Sequence, residues 1–184
     1  MSYLSPDREL NPEHVRMFMD LVSQGDFYQM LGMKVTELKV GICRAELEVV
    51  PRLLNSFGGI HGGVYASICD TVTYLAMYGD VSETQGYATL DLVVNDLKSV
   101  SSGMIYATGR PVRCGRHILL AEAEIRNAAG SLLATAQSKM FMSSDVQPLE
   151  QMLAYHKVDK PFPPKFITKP HEKTLPERTP RLGA

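Results

Sequence analysis

Residues 55–78 read Asn-Ser-Phe-Gly-Gly-Ile-His-Gly-Gly-Val-Tyr-Ala-Ser-Ile-Cys-Asp-Thr-Val-Thr-Tyr-Leu-Ala-Met-Tyr. The glycines near the beginning allow tight backbone turns and the close approach of another group. From Val64 onward the composition predicts a long helix, which Gly79 is expected to end. Apolar residues occur all round this helix, as is typical of a buried element. Asp70 in its middle is the exception, because an ionised carboxylate among apolar groups is costly unless it is paired or solvated in a cavity.

The composition and length set broad limits on the class of protein. The 184 residues are enough for one domain with a substantial core, and the formal net charge of -1 gives no support for binding nucleic acid or a membrane surface. The three cysteines and five histidines show neither metal-ligand spacing nor a disulfide framework. Because no signal peptide and no membrane-spanning run are recognisable, we expect a cytoplasmic protein without a bound metal.

Strand and helix patterns on both sides of the central helix predict the fold class. Asn11-Pro12-Glu13 has the residues that begin a helix, and Gly25 is expected to end it. Alternating patterns predict a hairpin before the central helix and four strands after it, at 33–40, 42–50, 87–97, 104–113, 116–126 and 131–142. This order predicts an α+β fold with an antiparallel sheet against the helix. Since one sheet covers only part of such a helix, we expect a partner chain to cover the rest.

We divide the chain into three parts by composition. Residues 1–32 form an N-terminal helical segment whose first ten residues are expected to be loose, and residues 33–144 form the core domain. Residues 145–184 are an extension that holds seven of the eleven prolines. A short helix is expected at 149–157, followed by extended or disordered chain, because proline cannot continue regular structure.

Two features of the central stretch are candidates for chemistry. Asp70 is either a general base or nucleophile that lines a pocket, or a carboxylate that is satisfied by neighbouring backbone or faces solvent. The backbone N–H groups at His61-Gly62-Gly63 are expected to favour an anion or a developing oxyanion, because unpaired donors there meet the positive end of the helix dipole. The alternative is a flexible loop before a helix.

The spacing of these two features predicts how a site is assembled. Gly63 and Asp70 are seven residues apart, which is about 10 Å along a helix. One small reacting group therefore cannot contact the helix start and Asp70 of the same chain. Two such helices that lie antiparallel across a dimer would bring each start to the other chain's Asp70.

Five further polar residues are also candidates. Asn55 could orient a water or a substrate amide, or it could form a turn. Thr89, on the polar face of its strand, could position a water, or it could be an ordinary strand residue. Lys98, Arg113 and Arg116 flank turns between strands and could contact phosphate, or they could be solvated surface charges. No phosphate-binding P-loop, dinucleotide fingerprint or nucleophile elbow is present.

As a spaced set, these residues resemble the hotdog-fold acyl-CoA thioesterases of the phenylacetate-degradation type. The resemblance covers about residues 30–143 and rests on Asn55, His61-Gly62-Gly63, Asp70 and Ala88-Thr89-Leu90-Asp91-Leu92-Val93-Val94-Asn95. Gly115-Arg116 and Gly130-Ser131-Leu132-Leu133-Ala134 also fit the family pattern. The chain departs from it at Ile68-Cys69, where Leu-Ala is usual, and at Lys98-Ser99-Val100, where Arg-Pro-Ala is frequent.

The resemblance implies a fold, an assembly and a reaction. It implies a sheet wrapped round the central helix, and a homodimer with shared active sites that is often paired into a homotetramer. The implied reaction is hydrolysis of an acyl-CoA thioester with no separate cofactor, since coenzyme A is part of the substrate. Gly62 or Gly63 would polarise the thioester carbonyl, Asp70 of the other subunit would be base or nucleophile, and Thr89 would place the water. Asn55 and His61 would line the thioester site, and Lys98 and Arg116 would contact the phosphates of coenzyme A.

Two other functions on the same fold are considered. The first is a non-catalytic protein that binds or senses acyl-CoA, and the second, which we disfavour, is a dehydratase. The acyl group cannot be identified, because Tyr65, Tyr74, Met77 and Tyr78 could line a pocket or belong to the core. The proline-rich extension could cover the mouth of the site, reach across a subunit boundary, or do neither.

Overall fold

The structure is a computed structural model that describes residues 8–168, so the interpretations of residues 1–7 and 169–184 lie outside it. Its helices are α1 (Pro12–Ser23), α2 (Asp26–Leu31), α3 (Gly62–Ala76) and α4 (Leu149–Tyr155), with short 3-10 helices at Pro51–Leu53 and Tyr78–Asp80. Its strands are β1 (Arg8–Leu10), β2 (Lys34–Lys39), β3 (Ile42–Val49), β4 (Gly86–Asp96), β5 (Gly103–Cys114), β6 (Ile118–Asn127), β7 (Leu132–Ser143) and β8 (Phe166–Thr168). Over these residues no helix is both long and apolar enough to cross a bilayer.

Six strands form one antiparallel sheet in the order β2-β3-β5-β6-β7-β4, and α3 packs against it. The predicted hairpin and the four later strands all appear within about two residues of their expected bounds. The α+β prediction, with an antiparallel sheet against one central helix, is therefore confirmed. A glycine makes the packing close: a side chain at Gly109 of β5 would collide with the backbone carbonyl of Val72 in α3.

One stripe of α3 is left uncovered by the sheet. The apolar residues expected to surround the helix are buried except Ala66, which is half-exposed. Ala66 shares its partial exposure with Ser67, Asp70 and Tyr74, which lie on the same side of the helix at three- and four-residue spacing. The expectation of an apolar surface all round α3 was therefore wrong. Asp70 lies on this partly exposed stripe of small and polar residues. Its carboxylate therefore avoids the free-energy cost of burying a charge among apolar groups.

Residues 8–10 and 166–168 pair with each other where no regular structure was expected. Strand β1 pairs antiparallel with β8, so residues 8–10 are not loose and the extension after α4 is not without strands. Asn11 caps α1 by accepting from the Glu13 N–H at 3.0 Å, and its own backbone N–H donates to the Lys165 carbonyl at 2.9 Å. The part of the extension up to Thr168 is therefore docked on α1 of the same chain.

Candidate active site

Asp70 is held by a side chain from the edge strand of the sheet. The Thr89 hydroxyl donates to Oδ1 of Asp70 at 2.8 Å, and both residues are half-buried. The pairing of β4 with β7 shifts register between Thr89 and Asp91, and such a bulge redirects the neighbouring side chains. The other carboxylate oxygen of Asp70 accepts no hydrogen bond from any residue in 8–168. It is therefore available to a water or a substrate.

Asp70 and Thr89 line a cavity of about 840 Å³ between α1, α3, the beginning of β4 and the extension. This volume lies within the range of small-molecule sites. Tyr74 and Tyr78 line the cavity, whereas Tyr65 and Met77 are buried in the core. The tyrosines considered from the sequence thus separate into two pocket residues and one core residue.

The cavity wall includes tyrosine hydroxyls that stay protonated. Burial raises the pKa of Tyr28, Tyr74 and Tyr78 above the ordinary value of 10.0. The Tyr74 hydroxyl donates to the side-chain oxygen of Gln147 in the extension at 2.8 Å. The extension therefore both lines the cavity and bonds to its wall.

His61 caps α3 with its own ring. Its Nδ1 accepts from the Gly63 N–H at 2.9 Å, and its carbonyl accepts from the Val64 N–H at 2.8 Å. The N–H of Gly62 has no hydrogen-bond partner in the part of the chain that the structure describes. Of the two glycines considered from the sequence, Gly62 is the one that offers a free donor at the positive end of the helix dipole.

A single chain does not bring Gly62 to Asp70. The two residues are eight positions apart in α3, which is about 12 Å along the helix axis. One chain therefore holds a carboxylate in a cavity and, at a separate place, a free backbone donor.

Asn55 shapes the loop that leads into α3. Its side-chain oxygen accepts from the N–H groups of Phe57 at 2.9 Å and Gly59 at 3.4 Å, and its amide donates to the Ile60 carbonyl at 3.4 Å. The structure thus gives Asn55 the turn-forming role that was the alternative to contact with substrate.

The three cationic candidates lie at opposite ends of the sheet. Lys98 follows β4 and its N–H donates to the Leu133 carbonyl at 3.0 Å, at the beginning of β7. Arg113 and Arg116 lie at or beside the turn between β5 and β6. Leu119, just after this turn, pairs with Met140 near the other end of β7. Seven residues of strand separate the two ends by about 23 Å. All three side chains are exposed, and one chain does not combine them into a single phosphate site.

Two residues that the sequence did not single out contact Tyr78: Lys165, which lines the cavity, and His14, which does not. Lys165 is only 3% exposed, and its Nζ donates to the Val81 carbonyl at 2.8 Å. Burial lowers the pKa of Lys165 to about 7, although Glu83 and Asp80 oppose this effect. His14 bonds to the Tyr78 hydroxyl at 2.5 Å and to the Pro163 carbonyl at 2.7 Å, and burial lowers its pKa. The only sequence signal for the lysine was its place beside Phe166 in a proline-rich segment.

The chain is similar to known proteins in both sequence and fold. The sequence model of the thioesterase superfamily matches residues 57–134, which contain Gly62, Asp70 and Thr89 but not the extension. The Mycobacterium tuberculosis protein Rv1847 is 32% identical over 117 residues, covering 62% of this chain and 84% of that protein. Its solved structure aligns with a TM-score of 0.62 at 30% identity, covering 64% of this chain and 95% of that one.

The chain is also similar in sequence to a named thioesterase and in fold to a further solved structure. The proofreading thioesterase EntH of Klebsiella pneumoniae is 31% identical over 94 residues, which is 51% of this chain and 69% of that protein. The PaaI protein from the phenylacetic acid degradation operon of E. coli aligns with a TM-score of 0.64 at 18% identity. That alignment covers 72% of this chain and 94% of the PaaI chain, and it shows a shared fold.

Proposed function

Because the chain belongs to the thioesterase superfamily and has its hotdog fold, we propose that it hydrolyses acyl-CoA thioesters. Membership supports thioester hydrolysis as the general reaction, and the acyl-CoA substrate and the role of Asp70 are the proposal. The observation that carries it is the Asp70 carboxylate, which Thr89 holds at the wall of a cavity with one oxygen free.

Asp70 can promote hydrolysis in two ways. As a general base it removes a proton from water while the water oxygen attacks the thioester carbonyl carbon, and the proton then passes to the departing thiolate. As a nucleophile its free oxygen attacks the same carbon, the thiolate leaves, and water cleaves the resulting anhydride. Both routes end in a free acid and the thiol of coenzyme A, and in both Thr89 fixes the direction of the carboxylate.

The oxyanion that forms during attack needs donors that Asp70 does not supply. The free N–H of Gly62 suits this role, because a preorganised backbone donor at a helix start stabilises developing negative charge. Since Gly62 and Asp70 of one chain are about 12 Å apart, we assign the donor to a second copy of the chain. The site is then shared across a homodimer, whether or not two dimers pair into a tetramer.

The edge of the sheet supports such a dimer. Strand β4 is the last strand in the sheet order, and its side chains Leu90 and Val93 are 57% and 58% exposed, as is Leu97 just after it at 57%. An exposed apolar edge strand tends to pair with another chain. Antiparallel pairing of two β4 strands also brings Lys98 of one copy to the same end of the joined sheet as Arg113 and Arg116 of the other. These cations are then suited to the phosphates of coenzyme A.

A panel of acyl-CoAs tests the function by release of the free thiol. The wild type is expected to hydrolyse at least one of them, and Asp70→Asn to lower kcat about 10²–10⁴-fold. Asp91→Asn is the matched control, because Asp91 is an exposed carboxylate on the same strand as Thr89 and pairs with Lys139 at 2.6 Å. Binding of acyl-CoA without turnover by the wild type would contradict the proposal and favour a binding or sensing protein.

A further inference from the structure

The cavity runs along α3 from Asp70 to a buried lysine. Asp70, Tyr74 and Tyr78 follow each other at four-residue intervals and all line the cavity, so it spans at least the eight residues from Asp70 in α3 to Tyr78 in the 3-10 helix, which is about 12 Å. Lys165 lines the same cavity, and its Nζ lies 3.8 Å from the centroid of the Tyr78 ring. One cavity therefore has Asp70 in its wall and, beside Tyr78 eight residues further along, Lys165.

The ammonium of Lys165 has hydrogen-bonding capacity that the described protein does not use. An ammonium has three donors, and within residues 8–168 its one hydrogen-bond acceptor is the Val81 carbonyl. It forms no ion pair within 4.0 Å in that part of the chain. Its Nζ lies over the rings of Tyr78 and Phe166, and the carboxylates of Glu83 and Asp80 act on it from a greater distance. A buried ammonium with so few acceptors is costly, and a ligand oxygen would lower that cost.

Lys165 is also held in place by its backbone. Its N–H donates to Oε1 of Glu83 at 2.5 Å, and its carbonyl accepts from the Asn11 N–H at 2.9 Å. The Tyr78 hydroxyl is already bonded to His14, which leaves the lysine as the fixed donor at this end. A donor that is positioned before binding contributes more to affinity than one that must be ordered.

We propose that this end of the cavity is a subsite for an acyl group whose far end carries a hydrogen-bond-accepting oxygen, with Lys165 as its donor. This inference rests on the proposed function, since it places the thioester at Asp70. A terminal methyl group would leave the ammonium buried without a further acceptor. A terminal hydroxyl or carboxylate supplies that acceptor. Because the negative charge of Glu83 lies nearby and disfavours a second anion, the experiment compares a neutral hydroxyl with a carboxylate.

Thioether analogues of three acyl-CoAs test the subsite without requiring turnover. In these analogues of hexanoyl-, ω-hydroxyhexanoyl- and adipyl-CoA a methylene group replaces the thioester carbonyl. Calorimetry at about pH 6, below the Lys165 pKa of about 7, gives their dissociation constants. A hydrogen bond to a charged donor predicts that at least one oxygenated analogue binds about ten- to a hundredfold more tightly than the hexanoyl analogue. Lys165→Met is expected to remove this preference. Lys160→Met, an exposed lysine of the same extension, is expected to keep it.

The outcomes separate the subsite from the proposed function. Equal binding of all three analogues by the wild type would overturn the subsite, as would an equal loss of affinity for all three in Lys165→Met. Absence of binding by any analogue would overturn it as well. Thioester hydrolysis is measured separately with the matching acyl-CoAs, so turnover without an oxygen preference refutes the subsite alone. An oxygen preference without turnover supports the subsite and contradicts the thioesterase.

Discussion

The Thr89 hydroxyl lies 2.8 Å from Oδ1 of Asp70 and joins the middle of α3 to the edge strand β4. This bond uses one oxygen of the carboxylate. The other oxygen accepts no hydrogen bond from residues 8–168 and is available to a water or a substrate. It also couples the orientation of Asp70 to the strand through which we expect two chains to pair. A catalytic group held in this way needs little reorganisation when the substrate arrives.

Replacing Thr89 is expected to affect turnover more than binding. Thr89→Val keeps the shape of the side chain but removes the donor, so Asp70 loses its orientation and kcat falls about ten- to a hundredfold. Thr89→Ser restores the hydroxyl and is expected to recover most of kcat, with KM little changed in both variants. Steady-state kinetics on one hydrolysed acyl-CoA measures both constants. Equal kcat for the Val and Ser variants would show that the hydrogen bond has no part in catalysis.

The His14 ring is expected to hold the extension on the core. His14→Leu leaves the Tyr78 hydroxyl and the Pro163 carbonyl without their buried partner, which should lower the free energy of unfolding by about 2–4 kcal/mol. His117→Leu is the control, because His117 is exposed. Denaturation by urea gives both values. A loss in His14→Leu no larger than in the control would contradict a structural role for these two bonds.

Lys165 is expected to make stability depend on pH just above neutrality. Burial lowers its pKa to about 7 in the folded chain, whereas an unfolded lysine keeps its proton to above pH 10. Between pH 7 and about 8.5 the unfolded chain therefore binds more protons than the folded one. The free energy of unfolding should rise with pH in this window, by at most about 1.4 kcal/mol per pH unit.

The comparison of Lys165→Met with the wild type isolates this contribution. The variant should lose the rise, and Lys160→Met should retain it. Measurements stay below about pH 8.5, because the cysteines have an opposite effect above it. Burial raises the pKa of Cys43 and Cys69 to about 12 in the folded chain, whereas unfolded thiols ionise at about pH 8.5. Above about pH 8.5 the unfolded chain therefore loses thiol protons that the folded chain keeps, and the free energy of unfolding falls with pH. Parallel curves for the wild type and Lys165→Met would show that the lysine does not titrate in this range.

The sequence predicted the sheet and the central helix because their signals are long. Strands of 6–12 residues, as in β2 to β7, show several cycles of alternation, and the glycines around α3 mark its beginning. The pairing of β1 with β8 was missed because three residues are too few to show a period. Pairing partners 158 positions apart, such as Glu9 and Ile167, also leave no local pattern.

The candidate site was predictable only where a residue type carried the information. Asp70 was noticed because a carboxylate is unusual in an apolar helix, but its contact with Thr89 depends on how β4 packs beside α3. Asn55 was expected at the site, yet its side chain is engaged in its own loop. The ring of His61 selects Gly62 over Gly63 as the free donor, and this follows from a cap that only coordinates reveal.

A proline substitution removes the Gly62 donor with little change to the helix. Gly62 is the first residue of α3, where proline is well tolerated, and His61 before it already has the extended backbone that proline requires. An added side chain meets the carboxylate of the exposed Asp96, which is free to move at the surface. Gly62→Ala is the matched control, because it adds a side chain but keeps the N–H.

Complementation between two inactive variants tests the shared site most directly. Homodimers of Asp70→Asn and of Gly62→Pro should both be nearly inactive, while Gly62→Ala remains active. A heterodimer purified through two different tags contains one site with an intact Asp70 and an intact Gly62 from opposite chains. We predict that this heterodimer hydrolyses the thioester with about half the activity of the wild-type dimer. A heterodimer as inactive as the two homodimers would contradict a site built from Asp70 of one chain and Gly62 of the other.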